Sequence, residues 1–440
     1  TAAASDMTSC STNPRQTALT NEIVVLTPIG VLRRIGPSDA TPLVRQQCTM
    51  WYTPAQDLMR ERAIDAWLVH DFRNTNSTFS VLMPHGYGHL TRRVGLVVPA
   101  TGEPTLITSH IDATFFVQAG IRLAKYLTWR EYQGTISGLL KGARTVAMEY
   151  SPNCDLPVVS TADAGTVEFV RSIDVRVVSS ADLVQATVAR WSAEAVAAYA
   201  RSAREVSSVK DDAFAFIRDT LAAGKPCNEW MVVERMHEQY ARLGLEYPDG
   251  PIVAVNAHAG DPHYDPTEAT SAPIRKGDFV LIDLWARRPG NDNIFCDICW
   301  VGACGSPTDR QVKVFETVRA ARDAAVVFAQ QRWAAKKPVA GWEVDDAAMG
   351  VLRGSPWPDA IRHRTGHSLS PGSKVHGLGV NIDNTETHDT RELLPGVGFT
   401  IEPGLYFDDF GVRSEINVHV DPMRGPTVAS EAQSDILRLA

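Results

Sequence analysis

The sequence predicts an α+β protein of two domains, a smaller α/β unit followed by a larger one of long helices and β-hairpins. Three observations carry this reading. The chain has 440 residues and a mass of 48.1 kDa, more than one core ordinarily fills. Short apolar runs alternate with amphipathic ones up to about residue 188, the pattern of strands interleaved with helices. Beyond it come long stretches with helical apolar spacing, then apolar runs separated by turn formers. The division expected is an N-terminal arm over 1–45, an α/β domain over 46–188 and a larger domain over 189–440.

In order, residues 55–61 predict a first amphipathic helix and 66–69 a first strand. Further strands are expected at 94–98, 105–107 and 145–148, and helices at 112–119 and 135–140. Residues 175–184 predict one more strand and a short helix. A long helix is expected from Ser192 to Ala222, with Ser192 as its N-cap and Glu194 in the first turn, ended by Gly224 and Pro226. A second covers 229–243 and stops at Gly244, and a third covers 310–333. The remainder is read as strands and Gly/Pro-rich turns.

Composition excludes several classes. With 44% hydrophobic residues, 10 Trp, 14 Phe and 10 Tyr, the chain is a folded protein rather than a disordered or fibrous one. Lys and Arg number 43 against 51 Asp and Glu, a net charge of −8. Such a surface disfavours nucleic acid as a bulk partner. Seven cysteines, an odd and scattered set (Cys10, Cys48, Cys154, Cys227, Cys296, Cys299 and Cys304), do not form a disulfide framework, and a cytoplasmic location is expected. The apolar stretch 23–32 is interrupted by Thr27, Pro28 and Gly30 and is too short to span a membrane, so no membrane partner is expected. Residues 1–6 are given no role in the fold.

The chemistry lies in acids planted within apolar runs. Phe279-Val280-Leu281-Ile282-Asp283-Leu284-Trp285 and Phe295-Cys296-Asp297-Ile298-Cys299-Trp300-Val301 each carry one central Asp. The stretch between them, including Pro289, Gly290 and Asn291, is turn-forming, so the two runs make a hairpin. Phe399-Thr400-Ile401-Glu402-Pro403-Gly404 and Val412-Arg413-Ser414-Glu415-Ile416-Asn417-Val418 repeat the arrangement with two Glu. One such acid alone reads as a satisfied structural residue. Four in two matching hairpins cannot all be buried and ionised without counter-charge, so they find cations or take protons. His363 and His367 stand four apart as in helical zinc sites, but Arg364 follows the first His where the zincin motif has Glu, and Gly366 weakens a helix. A carboxylate-rich set with one imidazole suits two divalent ions such as Mn, Co, Zn or Fe.

These segments resemble the pita-bread metallopeptidases, the family of methionine aminopeptidase, aminopeptidase P, prolidase and creatinase. The resemblance covers roughly residues 190–440, and the N-terminal unit is more weakly similar to the creatinase-type N-domain. It implies Asp283, Asp297, His367, Glu402 and Glu415 as metal ligands, with Asp297 and Glu415 bridging two ions. It also implies His263 as a proton-handling residue, with His258 as the alternative, and His363 and His376 on the substrate side. Arg413 is expected to orient a ligand carboxylate from behind. The activity implied is hydrolysis of a short peptide near its N-terminus, of Xaa-Pro dipeptidase or aminopeptidase type. A metal-bridging hydroxide would attack the carbonyl, Glu402 would carry the proton, and His263 or His376 would support the oxygen. A homodimer is implied by the N-domain. Three departures border the pocket. The Ala286–Asn293 loop looks longer than usual, as does the stretch from His367 to His376, and Trp285 replaces a smaller residue, which makes it a candidate substrate contact.

Two rival readings stand beside this one: a non-peptide amide hydrolase or lyase on the same fold, and a non-catalytic binding protein. Complete ligands argue against the second. Leu281 and Trp285, where related lyases carry an extra acid, argue against a lyase. Cys296 and Cys299 form a CxxC, but residues three apart on a strand face opposite sides. The loop from His85 to His89, with Arg92 and Arg93, is either a surface turn or a substrate-selecting element.

Overall fold

Alternating apolar runs in the first half build one mixed sheet. The computed structural model describes residues 50–440 except 84–87, 118, 291 and 440. The arm expected over 1–45 lies outside the described residues, as does His85. The helices and strands run α1 (Thr53–Glu61), β1 (Ala66–Phe72), α2 (Ser77–Leu82), β2 (Arg93–Pro99), β3 (Thr105–Ser109), β4 (Arg122–Tyr126), α3 (Trp129–Leu139), β5 (Thr145–Met148), α4 (Ala164–Ser172), β6 (Arg176–Ser179) and α5 (Ala181–Val188). The sheet order is β4-β3-β2-β1-β5-β6. β1, β2 and β3 pair antiparallel, and the outer pairs are parallel. Both faces of β1 are buried, so its run is apolar without alternation. The helix expected at 112–119 is instead a 3-10 turn over Asp112–Phe116. The one expected at 135–140 begins earlier, because Thr128 and Glu131 form a capping box. At the centre, the fully buried Glu149 accepts hydrogen bonds from Trp67 Nε1 (2.7 Å), Asn76 Nδ2 (3.0 Å) and Ser180 Oγ (2.9 Å), tying β1 to the ends of α2 and α5.

The second half opens with α6 (Ala193–Ala222) and α7 (Glu229–Leu243). Ser192 Oγ accepts from Ala195 N at 3.0 Å, and Gly244 ends α7 in the left-handed region at φ 65°. Next come β7 (Ile252–Val255), β8 (Phe279–Ala286) and β9 (Cys296–Ala303), then α8 (Asp309–Ala334) and α9 (Gly341–Arg353). α9 was not expected. Its two glycines and adjacent acids mask the stripe of Val344, Ala348, Met349 and Leu352 that it buries. The short strands β10 (Ser368–Leu369), β11 (Gly398–Ile401), β12 (Gly404–Tyr406), β13 (Gly411–Arg413), β14 (Ile416–Asp421), β15 (Gly425–Val428) and β16 (Leu437–Arg438) follow. They complete two sheets, β16-β9-β8-β7 and β10-β11-β14-β15, and the β12-β13 pair.

Strand alternation sorts the first of these sheets into two faces. Val280, Ile282, Leu284, Cys296, Ile298 and Trp300 pack on α6 and α7. Phe279, Leu281, Cys299 and Val301 face the other way, towards α8, α9 and β11–β14. Cys296 and Cys299 therefore do lie on opposite sides. Asp283 and Asp297 sit on the second face, and neighbouring apolar side chains, each contributing about 1.5–3 kcal/mol of burial, offset the cost of placing them there.

Candidate metal centre

The β8–β9 register places Asp283 opposite Cys299 and Trp285 opposite Asp297. The two acids are therefore diagonal neighbours on one face, within reach of each other. Asn417 fixes the second. Its Oδ1 accepts from Asp297 N at 2.9 Å and its Nδ2 donates to Asp297 O at 2.5 Å, while Tyr199 OH donates to the same Oδ1 at 2.7 Å.

The two glutamates lie one residue outside the paired ends of β11 and β14, where Ile401 opposes Ile416. Glu402 N donates to Thr365 O at 2.7 Å, and Glu415 N donates to Cys299 O at 3.2 Å, joining the two sheets at the site. The His363–His367 stretch is extended rather than helical. His367 N donates to Thr400 Oγ1 at 2.9 Å, and Thr365 N donates to Asp345 Oδ1 on α9 at 3.0 Å. A Cβ on Gly366 would stand 2.1 Å from Thr400 O, so this close approach admits only glycine.

Together these elements bring ligand atoms of Asp297, His367 and Glu415, all buried, within 4.8 Å of one another. His367 Nε2 lies 3.4 Å from Asp297 Oδ2 and 3.5 Å from Glu402 Oε1. Its Nδ1 faces Ser368 O at 3.1 Å, and a carbonyl only accepts, so the proton sits on Nδ1 and Nε2 presents a lone pair to the acids. Asp283 is paired with Arg413, whose Nη1 also donates to Tyr406 OH at 3.0 Å.

Burial pushes Asp283, Asp297 and Glu415 above the usual carboxylate range, and the neighbouring carboxylates push them further. Arg413 works against this in each case. Glu402 alone is held below its ordinary value: burial opposes ionisation, and the charge that His367 and His363 carry when protonated, with that of Arg413, outweighs it. Asp283 Oδ1 and Glu415 Oε1 are buried with no hydrogen-bond donor. One guanidinium cannot balance four carboxylates. Orphaned oxygens, a neutral imidazole aimed inward and hard donors fit divalent cations.

The other expected residues are placed as follows. His376 stacks on His367 with ring centroids 3.9 Å apart, and its basicity is pushed down to about 3, first by His367 and then by burial. His363 Nδ1 donates to Arg364 O at 2.6 Å, and its Nε2 accepts from Tyr406 OH at 2.7 Å, so it meets the site through Tyr406. The side chain of His263 is exposed and makes no hydrogen bond among the described residues. His258 Nδ1 instead lies 3.0 Å from both oxygens of the fully buried Glu229, and its ring packs on Tyr264. Trp285 Nε1 donates to Asp249 Oδ1 at 2.9 Å. Sequence reasoning missed Tyr406, Asn417, Thr400 and Asp249. Only Asn417 carried a signal, two residues from Glu415 on the same run.

A profile of metallopeptidase family M24 matches residues 201–422, half of the chain. A putative dipeptidase, YkvY of Bacillus subtilis, is 33% identical over 204 residues, 46% of this chain and 51% of that protein. An Xaa-Pro dipeptidase of Lactobacillus helveticus is 31% identical over 165 residues, 37% of this chain and 40% of that protein. The chain thus spans about half or less of the length of these relatives. The crystal structure of dipeptidase PepE from Mycobacterium ulcerans superposes with a TM-score of 0.69 over 88% of this chain and 97% of that one, at 19% identity, a likeness of fold. The two sheets, the acids gathered where they meet and the matched profile lead to one assignment: the chain belongs to metallopeptidase family M24.

Proposed function

We propose that this chain is a peptidase that uses two divalent metal ions to cleave short peptides near their amino terminus, with Xaa-Pro dipeptides as its first substrate class. The observation that carries the reading is the set of four carboxylates, three of them buried, gathered with one inward-facing imidazole, with Arg413 paired to Asp283. The names of the two relatives, a putative dipeptidase and an Xaa-Pro dipeptidase, support the substrate class. We further propose a pita-bread catalytic domain over 189–440 behind an α/β domain over 46–188, a homodimer, and a cytoplasmic location.

Asp283, Asp297, His367, Glu402 and Glu415 would hold the ions. When bound, such ions polarise a carbonyl and lower the pKa of water towards neutrality. The remaining steps belong to the chain. Glu402, whose side chain keeps 16% of its surface exposed, accepts a proton on its free carboxylate oxygen and passes it to the leaving nitrogen. His376, with both ring nitrogens unengaged among the described residues, donates to the carbonyl oxygen; the exposed His263 lacks a partner to orient it for that role. Arg413 fixes the carboxylate of Asp283, and through Tyr406 it also fixes His363, which forms the adjoining wall. Trp285 bounds the side that receives the first residue.

The test is hydrolysis of an Xaa-Pro dipeptide panel and of longer peptides, with and without Mn²⁺ or Co²⁺ after chelation. Metal-restored cleavage of the dipeptides is expected. Full activity in the chelated protein would overturn the reading. Metal-dependent turnover of amides that are not peptides, with none of peptides, would move it to the rival hydrolase.

A further inference from the structure

The chain before β7 does not follow β8 evenly. Glu246 bridges to Arg287 and Ile252 pairs with Asp283. Residues 247–251 therefore stand opposite only 284–286, and the surplus bulges out over Trp285. Bulges of this kind re-aim side chains beside functional sites. Gly250 takes φ 69°, and a Cβ there would stand 2.4 Å from the Trp285 ring, so the bulge lies directly on the indole. His237 Nε2 lies 2.9 Å from Gly250 O, and the His237 ring stacks on Tyr247, holding the segment from behind.

The bulge delivers one charged group. Asp249 is exposed, and its Oδ1 accepts the Trp285 Nε1 proton at 2.9 Å. Trp285 shares a strand face with Asp283 and is the register partner of Asp297. Asp249 thus stands at the rim of the face that carries the acids. Its indole bond uses one oxygen and leaves lone pairs for a donor from solvent.

We propose that Asp249, held by Trp285, anchors a positively charged nitrogen on the substrate's first residue and so selects peptides bearing an ammonium there. This rests on the peptidase reading above. Two divalent ions with a hydroxide between them, together with Arg413, would balance the four carboxylates, so none of these acids has charge left over for an approaching ammonium and a further carboxylate is needed to hold it. Asp249 supplies that carboxylate. The nitrogen is either the free α-ammonium or a basic side chain, and one experiment separates them.

Wild type and Asp249→Asn are compared on Lys-Pro, norleucyl-Pro and N-acetyl-norleucyl-Pro. Asn keeps an oxygen for Trp285 and removes only the charge, and unchanged thermal melting confirms the fold. A rise in KM of about fivefold is expected wherever the anchored ammonium is present, the size of an exposed ion pair, with kcat held. A loss on both free-amine substrates identifies the α-ammonium; a loss on Lys-Pro alone identifies the side chain. Equal effects on all three, or none, overturn the proposal. Calorimetric binding of lysinamide, norleucinamide and N-acetyl-norleucinamide to the same two proteins gives a second readout. Absent peptide turnover would refute the peptidase reading, while these binding data would still decide for or against Asp249. Trp285→Phe, which keeps the charge and frees it from the indole, should raise KM for the same substrates; unchanged KM there also counts against the anchor.

Discussion

Asn417 grips Asp297 by its backbone on both sides, accepting from its N–H at 2.9 Å and donating to its carbonyl at 2.5 Å. One side chain thereby sets the height of a central acid relative to Glu415, two residues from Asn417 itself. Asn417→Ala would leave the Asp297 N–H and carbonyl buried without the partners that Asn417 gives them. Each orphan costs about 1–3 kcal/mol, so unfolding by urea should begin well below the wild-type midpoint. Metal affinity should fall as well, because the Asp297 carboxylate loses its fixed origin. Wild-type stability with weakened metal binding would contradict the structural part of this account.

Arg413 is the cation paired with Asp283 and lies 3.9 Å from Glu402. Arg413→Met removes it and leaves buried carboxylate charge uncompensated, a loss of about 3–5 kcal/mol in the metal-free protein. Metal loading should return part of that loss, since the ions supply counter-charge that the guanidinium no longer gives. Thermal melting with and without Mn²⁺ measures this. A variant that melts like wild type in both states would show that Arg413 does not balance the acids.

Far from the site, Glu149 offers a pH test of the α/β sheet. Burial pushes its carboxyl up to about 7, against donors Trp67, Asn76 and Ser180. The folded chain then holds this proton between about pH 4.5 and 7 where the unfolded chain has released it. The contribution to stability is fully present below the unfolded pKa and is lost as pH rises through the folded one, about 3 kcal/mol in all. Comparison of urea midpoints for wild type and Glu149→Gln across that window should show a falling slope in the former and a shallower one in the latter. Parallel slopes would contradict the raised pKa.

How much of this was legible in the sequence depends on whether a feature is local. Asp283 and Asp297 announced themselves because an acid inside an apolar run is costly and a turn lies between them. The long helices were legible from their spacing and caps, Ser192 and Gly244 among them. The register was not: Asp283 opposes Cys299 rather than Asp297, which depends on loop length and packing. Tyr406 and Asn417 were hidden because their partners lie across the fold, where no pattern along the chain points. α9 was missed for want of a clean apolar stripe, and with it went Asp345, which holds Thr365 and so the start of the segment carrying His367. Asp249 was hidden for the same reason as Tyr406, since only the bulge brings it to Trp285.

The central claim is that these buried acids are tolerated because divalent cations sit among them. Elemental analysis of the purified chain, loaded with Mn²⁺ or Co²⁺ and then desalted, tests it directly. Two ions per chain are expected in the wild type, with loss of both in an Asp297→Asn, Glu415→Gln double variant that remains folded. A folded wild-type chain that retains no ion, or a double variant that retains the full complement, would contradict it.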